Sequence, residues 1–141
     1  MTIPKLDAIA DTSFVLGMAL ATESKHEDCL RVYRQFRNIG LLEAAYAEIA
    51  FMLTREGGVR ATAQFLSHLQ KSKYRPVTLE DDDYPRISAL LTKYSASEID
   101  FVDIAIVACA EHLNITRILT LDRRDFDILR PAHVDHFEIL P

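Results

Sequence analysis

Glycine and cysteine are scarce in this 141-residue chain, with four and two residues respectively. No glycine loop of the phosphate-cradling kind follows the first expected strand, which argues against a nucleotide-binding fold. Cys29 and Cys109 have no metal-ligand or redox spacing, and two thiols do not make a disulfide framework. No apolar run approaches the roughly 18 residues of a membrane span. The segment MTIPKLDAIAD lacks the apolar stretch of a signal peptide. Repeats, low-complexity tracts and Gly/Ser linkers are also missing, so residues 1–141 are expected to form a single domain, soluble and reduced in the cytosol. A basic surface is missing too. The net charge of −5 argues against broad electrostatic binding to nucleic acid. It does not exclude a nucleic-acid substrate, because acids gathered to hold cations lower the net charge while the metals reverse the local field.

What the chain does have is a 49% hydrophobic composition and an alternation of short apolar runs with longer amphipathic ones. Ala8-Ile9-Ala10 reads as a short buried strand, after which Thr12 or Ser13 can cap a helix. A helix is expected from His26 to Arg37, a short strand at Leu41-Leu42, and a largely apolar helix from Ala44 to Arg55. Gly57-Gly58 reads as a turn before an amphipathic helix from Val59 to Lys71. Pro76 to Leu79 is a third strand, and Asp81-Asp82-Asp83 opens another helix, where carboxylates suit the positive end of the dipole. Ser97 is expected to cap a helix from about Glu98 to Leu113. A strand from Ile115 to Leu121, a short helix from Asp125 to Leu129 and a strand from Val134 to Leu140 close the chain. Strands separated by helices imply an α/β fold with a parallel sheet covered on both faces.

Four acidic residues fall where acids are not expected. Asp11 and Asp122 each follow an apolar strand, and ligands of open α/β sheets bind beyond the carboxyl ends of the strands. Glu48 in AAYAEIAFMLT and Asp103 in FVDIAIVACA interrupt otherwise apolar helices, so both are expected to be buried. A charge taken out of water without a partner is strongly unfavourable. The nearest basic residues, Arg55 and Lys93, stand seven and ten positions away, so an external cation is an economical answer. Asp100 shares a helical face with Asp103 one turn away. It could support a metal site, or it could form a capping box with Ser97. Asp11 and Asp122 could each be a structural turn residue, and Glu48 could reach solvent.

Carboxylates are hard oxygen donors, which favour Mg²⁺ or Mn²⁺ over zinc. His133 and His136 fall in an expected strand on opposite faces and suggest no zinc site. A cation held by such acids would lower the pKa of a bound water and neutralise a phosphoryl oxygen. No Ser–His–Asp set or nucleophilic cysteine accompanies the acids, so metal-assisted hydrolysis of a phosphodiester fits best.

Asp11-Thr12-Ser13, Ala47-Glu48-Ile49, Asp100-Phe101-Val102-Asp103 and the segment LTLDRRDF from Leu119 to Phe126 together resemble the PIN domain. They are particularly similar to the toxin ribonucleases of VapBC toxin–antitoxin modules, over nearly the whole chain. The resemblance implies a three-layer α/β/α fold with a five-stranded parallel sheet and a Mg²⁺- or Mn²⁺-dependent endoribonuclease activity. It also implies a homodimer and a small antitoxin whose tail blocks the cleft. On this resemblance Asp11, Glu48, Asp103 and Asp122 are the catalytic quartet, with Asp11 and Asp103 the principal metal ligands. Thr12, Ser13, Asp100 and Asp125 are secondary candidates, Asp125 being as suited to the turn before Phe126. Arg123 and Arg124 adjoin Asp122 and are the foremost candidates for RNA phosphates, ahead of Arg55 and Arg60. The rival readings are a non-toxin PIN nuclease of RNA processing, another Mg²⁺-dependent phosphohydrolase, and a non-catalytic domain that binds a partner's arginines.

Overall fold

The strands of this protein are short, and two of them are apolar on both faces, as a parallel sheet sandwiched between helices requires. In the computed structural model, which describes residues 4–141, β1 (Ala8–Ala10) and β2 (Ile39–Leu42) are buried at every position. With β3 (Tyr74–Val77), β4 (Arg117–Leu119) and β5 (Glu138–Leu140) they form one sheet of order β3-β2-β1-β4-β5, in which every pairing is parallel. The helices are α1 (Thr12–Ala19), α2 (His26–Gln35), α3 (Tyr46–Leu69), α4 (Asp83–Lys93), α5 (Phe101–Leu113) and α6 (Arg123–Ile128). α1 packs against α2 and α3, and α4 packs against α5, in the expected three-layer α/β/α arrangement. α5 is the innermost helix, buried without a break from Ile104 to Ala110. Among the described residues, no helix is long and apolar enough to cross a membrane.

The chain builds outward from β1 through β2 to β3, then crosses back to place β4 and β5 on the other side of β1. The order therefore reverses between β1 and β4, the position at which open α/β sheets form a crevice beyond the carboxyl ends of their strands. Backbone bonds extend the sheet into this crevice. Asp11 N–H donates to Leu119 O at 3.0 Å, and Thr120 N–H donates to Leu140 O at 2.8 Å.

Several expected boundaries move, each for a local reason. α1 is capped by Asp11, whose side chain accepts from Phe14 N–H, and not by Thr12 or Ser13. α5 starts at Phe101, because Asp100 is its cap and Glu98 adopts a left-handed conformation that a helix cannot include. The proposed Ser97 cap and its box with Asp100 are thus not formed. β3 begins two residues earlier than expected, and Thr78 and Leu79 lie beyond it. β4 and β5 are shorter than expected. His133 and His136 precede β5, and His133 Nε2 instead bonds Ile115 O at 2.7 Å.

α3 behaves as two arms, residues 46–57 and 59–69, because Gly58 has φ 82° and ψ 170°. The Gly57-Gly58 turn read from the sequence is this break. Thr62 Oγ1 lies 2.7 Å from Thr54 Oγ1 and donates to Ala50 O at 3.3 Å. Eight residues of straight helix would separate Thr54 and Thr62 by about 12 Å, so the arms fold back on each other. The first arm is not the buried helix that its composition suggests. Ile49 and Leu53 are its buried residues, whereas Phe51 is 64% exposed.

A Cβ at Gly58 would meet nothing within 4 Å, so a substitution there tests backbone strain alone. Gly58→Ala is expected to destabilise the protein by about 1–3 kcal/mol, because that conformation is nearly exclusive to glycine. Urea unfolding should show a lower midpoint with an unchanged slope; an unchanged midpoint would refute the strain argument.

Candidate active site

Asp11 lies where β1 ends, at the edge of the crevice, and is only 5% exposed. Three donors hold its carboxylate. Ser13 Oγ donates to Oδ1 at 2.7 Å, Phe14 N–H to Oδ1 at 3.1 Å, and Thr120 Oγ1 to Oδ2 at 2.5 Å. Ser13 Oγ also accepts from Leu121 N–H at 2.9 Å, and Thr120 Oγ1 accepts from Asp122 N–H at 3.0 Å. One carboxylate and two hydroxyls thereby stitch the end of β1 to the end of β4. Thr120 is fully buried and was not singled out from the sequence. Its signal was available as the polar residue in the apolar run Ile118-Leu119-Thr120-Leu121. The Thr12 hydroxyl is also buried, and it has no hydrogen-bond partner.

The donors do not make up for the lost water. Burial, aided by the charge on Asp122, raises the Asp11 pKa to about 6 against the lowering by Thr120, Ser13 and Phe14. Asp103, half-buried on the first turn of α5, is pushed up to about 9. Burial is the largest cause, followed by a hydrogen bond with Asp125 and the charges of Asp100, Asp11 and Asp125. The Asp125 side chain that contributes to this shift is itself only 13% exposed. These acids thus sense one another across the crevice.

Each remaining candidate has a definite place. Asp100 is exposed and caps α5, accepting from Asp103 N–H at 3.0 Å. Asp122 is exposed and caps α6, accepting from Arg124 N–H at 3.3 Å. Glu48 is exposed on the first turn of α3, contrary to the expected burial. Arg123 is turned to the carboxyl end of the chain, donating to Ile139 O at 3.2 Å and Pro141 O at 3.4 Å. Arg124 pairs with Asp125 at 2.8 Å. Arg55 pairs with Glu56 and lies over the Phe51 ring, and Arg60 is exposed.

No three His, Cys, Asp or Glu side chains among the described residues form a ready cage for an ion. The donor set nevertheless suits a hard cation, being carboxylates whose charge is left under-compensated beside an unpartnered hydroxyl. Both thiols are buried and free, and burial pushes them up to about 11 for Cys29 and about 12 for Cys109, which keeps them in the unreactive form. An apolar cavity of about 250 Å³, lined by residues such as Val15, Met18, Tyr33 and Phe65, contains none of the acids.

The family model of the PIN domain matches residues 8–130. Ribonuclease VapC26 of Mycobacterium tuberculosis is 28% identical, across 94% of this chain and 99% of that protein. The fold is similar to that of M. tuberculosis VapC20, described as a sarcin–ricin loop cleaving toxin, with a TM-score of 0.79 at 20% identity over 91% of this chain and 98% of that one. It is also similar to VapBC2 of Rickettsia felis, solved with a DNA fragment from its promoter, with a TM-score of 0.70 at 12% identity over 96% and 100% of the two chains. The match extends from β1 past α6 and so spans every carboxylate of the crevice: this chain belongs to the PIN domain family.

Proposed function

We propose that the protein is a divalent-metal-dependent endoribonuclease and the toxin of a toxin–antitoxin pair. The observation that carries this reading is the under-compensated pair Asp11 and Asp103 at the β1–β4 switch point. A relative named as a VapC ribonuclease, matched over nearly its whole length, supports RNA as the substrate. Toxin–antitoxin complexes among the similar folds support a small antitoxin as partner. The apolar cavity between α1, α2 and the second arm of α3 is a surface that such a partner could cover. The exposed Phe51, Val59 and Leu66 of α3 suit a homodimer contact.

Asp11 and Asp103 would be the principal ligands of Mg²⁺ or Mn²⁺, with Asp122, Asp125 and Glu48 as further candidate carboxylates. The bound cation would supply an activated water and charge neutralisation at the scissile phosphate. The chain's own residues supply the geometry. Thr120 and Ser13 fix both oxygens of Asp11, and Asp100 orients the first turn of α5 that presents Asp103. A carboxylate held in this way needs little rearrangement when the substrate arrives.

Asp11→Asn and Asp103→Asn should each reduce Mg²⁺-dependent cleavage of structured RNA by at least about a hundredfold, with circular dichroism unchanged. They should also abolish growth inhibition on expression in a bacterium. Full activity in both variants would sink the proposed site, and cleavage of small phosphoesters but not RNA would sink the substrate.

Stability provides a second test. Both carboxylates have folded-state pKa values above their unfolded ones, so folding takes up protons. Their stabilising contribution is complete below about pH 4 and is lost as pH rises through about 6 for Asp11 and about 9 for Asp103. The melting temperature of the metal-free protein should therefore fall between pH 5 and pH 9. Mg²⁺ should raise it at pH 8 but hardly at pH 5. Asp103→Asn should flatten the pH dependence. Parallel curves for wild type and Asp103→Asn would refute the electrostatic account.

A further inference from the structure

Two arginines follow Asp122 in sequence, and the fold gives them different work. Arg123 is spent on the backbone carbonyls of Ile139 and Pro141. Arg124 faces the acids. Its Nη1 lies 2.8 Å from Asp125 Oδ1, and its Nη2 is 3.5 Å from the carbonyl of Ser97 on the turn before α5. Its own N–H is held by Asp122 Oδ1 at 3.3 Å, which anchors the backbone from which the guanidinium extends.

The two ends of this ion pair sit in different media. The Arg124 side chain is 65% exposed, whereas that of Asp125 is 13% exposed. Asp125 also helps to push up the Asp103 carboxyl, behind the larger effect of burial. A guanidinium at this position therefore neutralises one of the innermost carboxylates from the solvent side. An exposed cation is weakly held and can exchange partners. Its planar fork also matches a phosphate as well as it matches a carboxylate.

We propose that Arg124 is an exchangeable counter-cation of the active site. It holds the Asp125 carboxylate in the metal-free protein, yields it to an arriving Mg²⁺ or Mn²⁺, and then pairs with a phosphate of the RNA strand. This rests on the metal-dependent ribonuclease reading and adds to it a competition between a side chain and the ion. It makes Arg124 a positioning residue toward the acids and a substrate contact toward RNA. A solvated surface pair with no functional role would show neither effect.

Titration calorimetry with MgCl₂ or MnCl₂ alone, at fixed ionic strength, reads the first half. Removing the competing charge in Arg124→Ala should tighten ion binding about three- to tenfold, and Arg124→Lys should stay within about twofold of wild type. Binding of a cleavage-resistant single-stranded RNA analogue (2′-O-methyl, phosphorothioate-linked), measured with MgCl₂ present and the acids intact, reads the second half. There Arg124→Ala should weaken binding about fivefold and lower the salt slope by about one unit, while Arg124→Lys preserves most of both. If Arg124→Ala proves unstable by circular dichroism, Arg124→Gln replaces it in each assay. Ion affinity that is unchanged or weaker, or RNA affinity that is unchanged, overturns the role of Arg124. Failure of the wild type to bind either ion overturns the metal reading itself, which the calorimetry separates from a wild type that binds ions as its variants do.

Discussion

A carboxylate removed from water at the end of β1 organises this molecule. Asp11 sits where the strand order reverses, and its two oxygens accept from Ser13, Phe14 and Thr120. Through those three donors it caps α1, ties β1 to β4, and places the Thr120 hydroxyl to receive the N–H of Asp122. A buried polar group without partners would be too costly to keep, so the hydrogen bonds are needed for the fold. They still fall short of full compensation, since burial leaves the group harder to ionise than an ordinary aspartate. The residual deficit is what an external cation can relieve.

The second deficit depends on the first. α5 lies in the middle of the domain and cannot shift without disturbing the core, so the first turn that carries Asp103 is fixed in space. Asp100 reinforces it by capping the helix. A repulsive set of acids on mobile loops would simply separate. Here β1, β4 and α5 hold the charges near one another, and the core provides the stability that opposes their repulsion. On the proposed function this is a trade between stability and activity, with the destabilising charges placed where the proposed chemistry needs them.

Much of this was legible in the sequence, but for unequal reasons. Strand-end position put Asp11 directly after β1, where it lies, and Asp122 directly after β4, from which it is three residues removed, because the apolar run before each marks a buried strand. The unbroken apolar stretch around Asp103 correctly indicated an inner helix. The same argument failed for Glu48. An apolar composition records what a helix could bury and not what covers it, and the first arm of α3 leaves Phe51 in solvent. The Asp100 cap was obscured by Ser97, since both residue types cap helices and only the left-handed Glu98 decides between them. Thr120 was missed because a threonine in a strand is unremarkable until its partner across 109 residues is known. Pairings between distant segments cannot be read from local spacing, and the stitching of Asp11 is of that kind.

The acidic net charge can be reconciled with an RNA substrate by the same physics. A crevice of under-compensated carboxylates repels a polyanion, and the chain's other charges do nothing to reverse this at long range, given the net −5. Attraction therefore has to be created locally, by a bound cation and by guanidinium groups that can leave their carboxylates. Of the two arginines at the site, one is committed to the carboxyl end of the chain and the other to an acid of the crevice. Only the second can change partners without unpicking the fold. The charge that favours metal uptake and the charge that admits the strand are thus linked, since neutralising the acids removes the repulsion and releases the arginine in the same event.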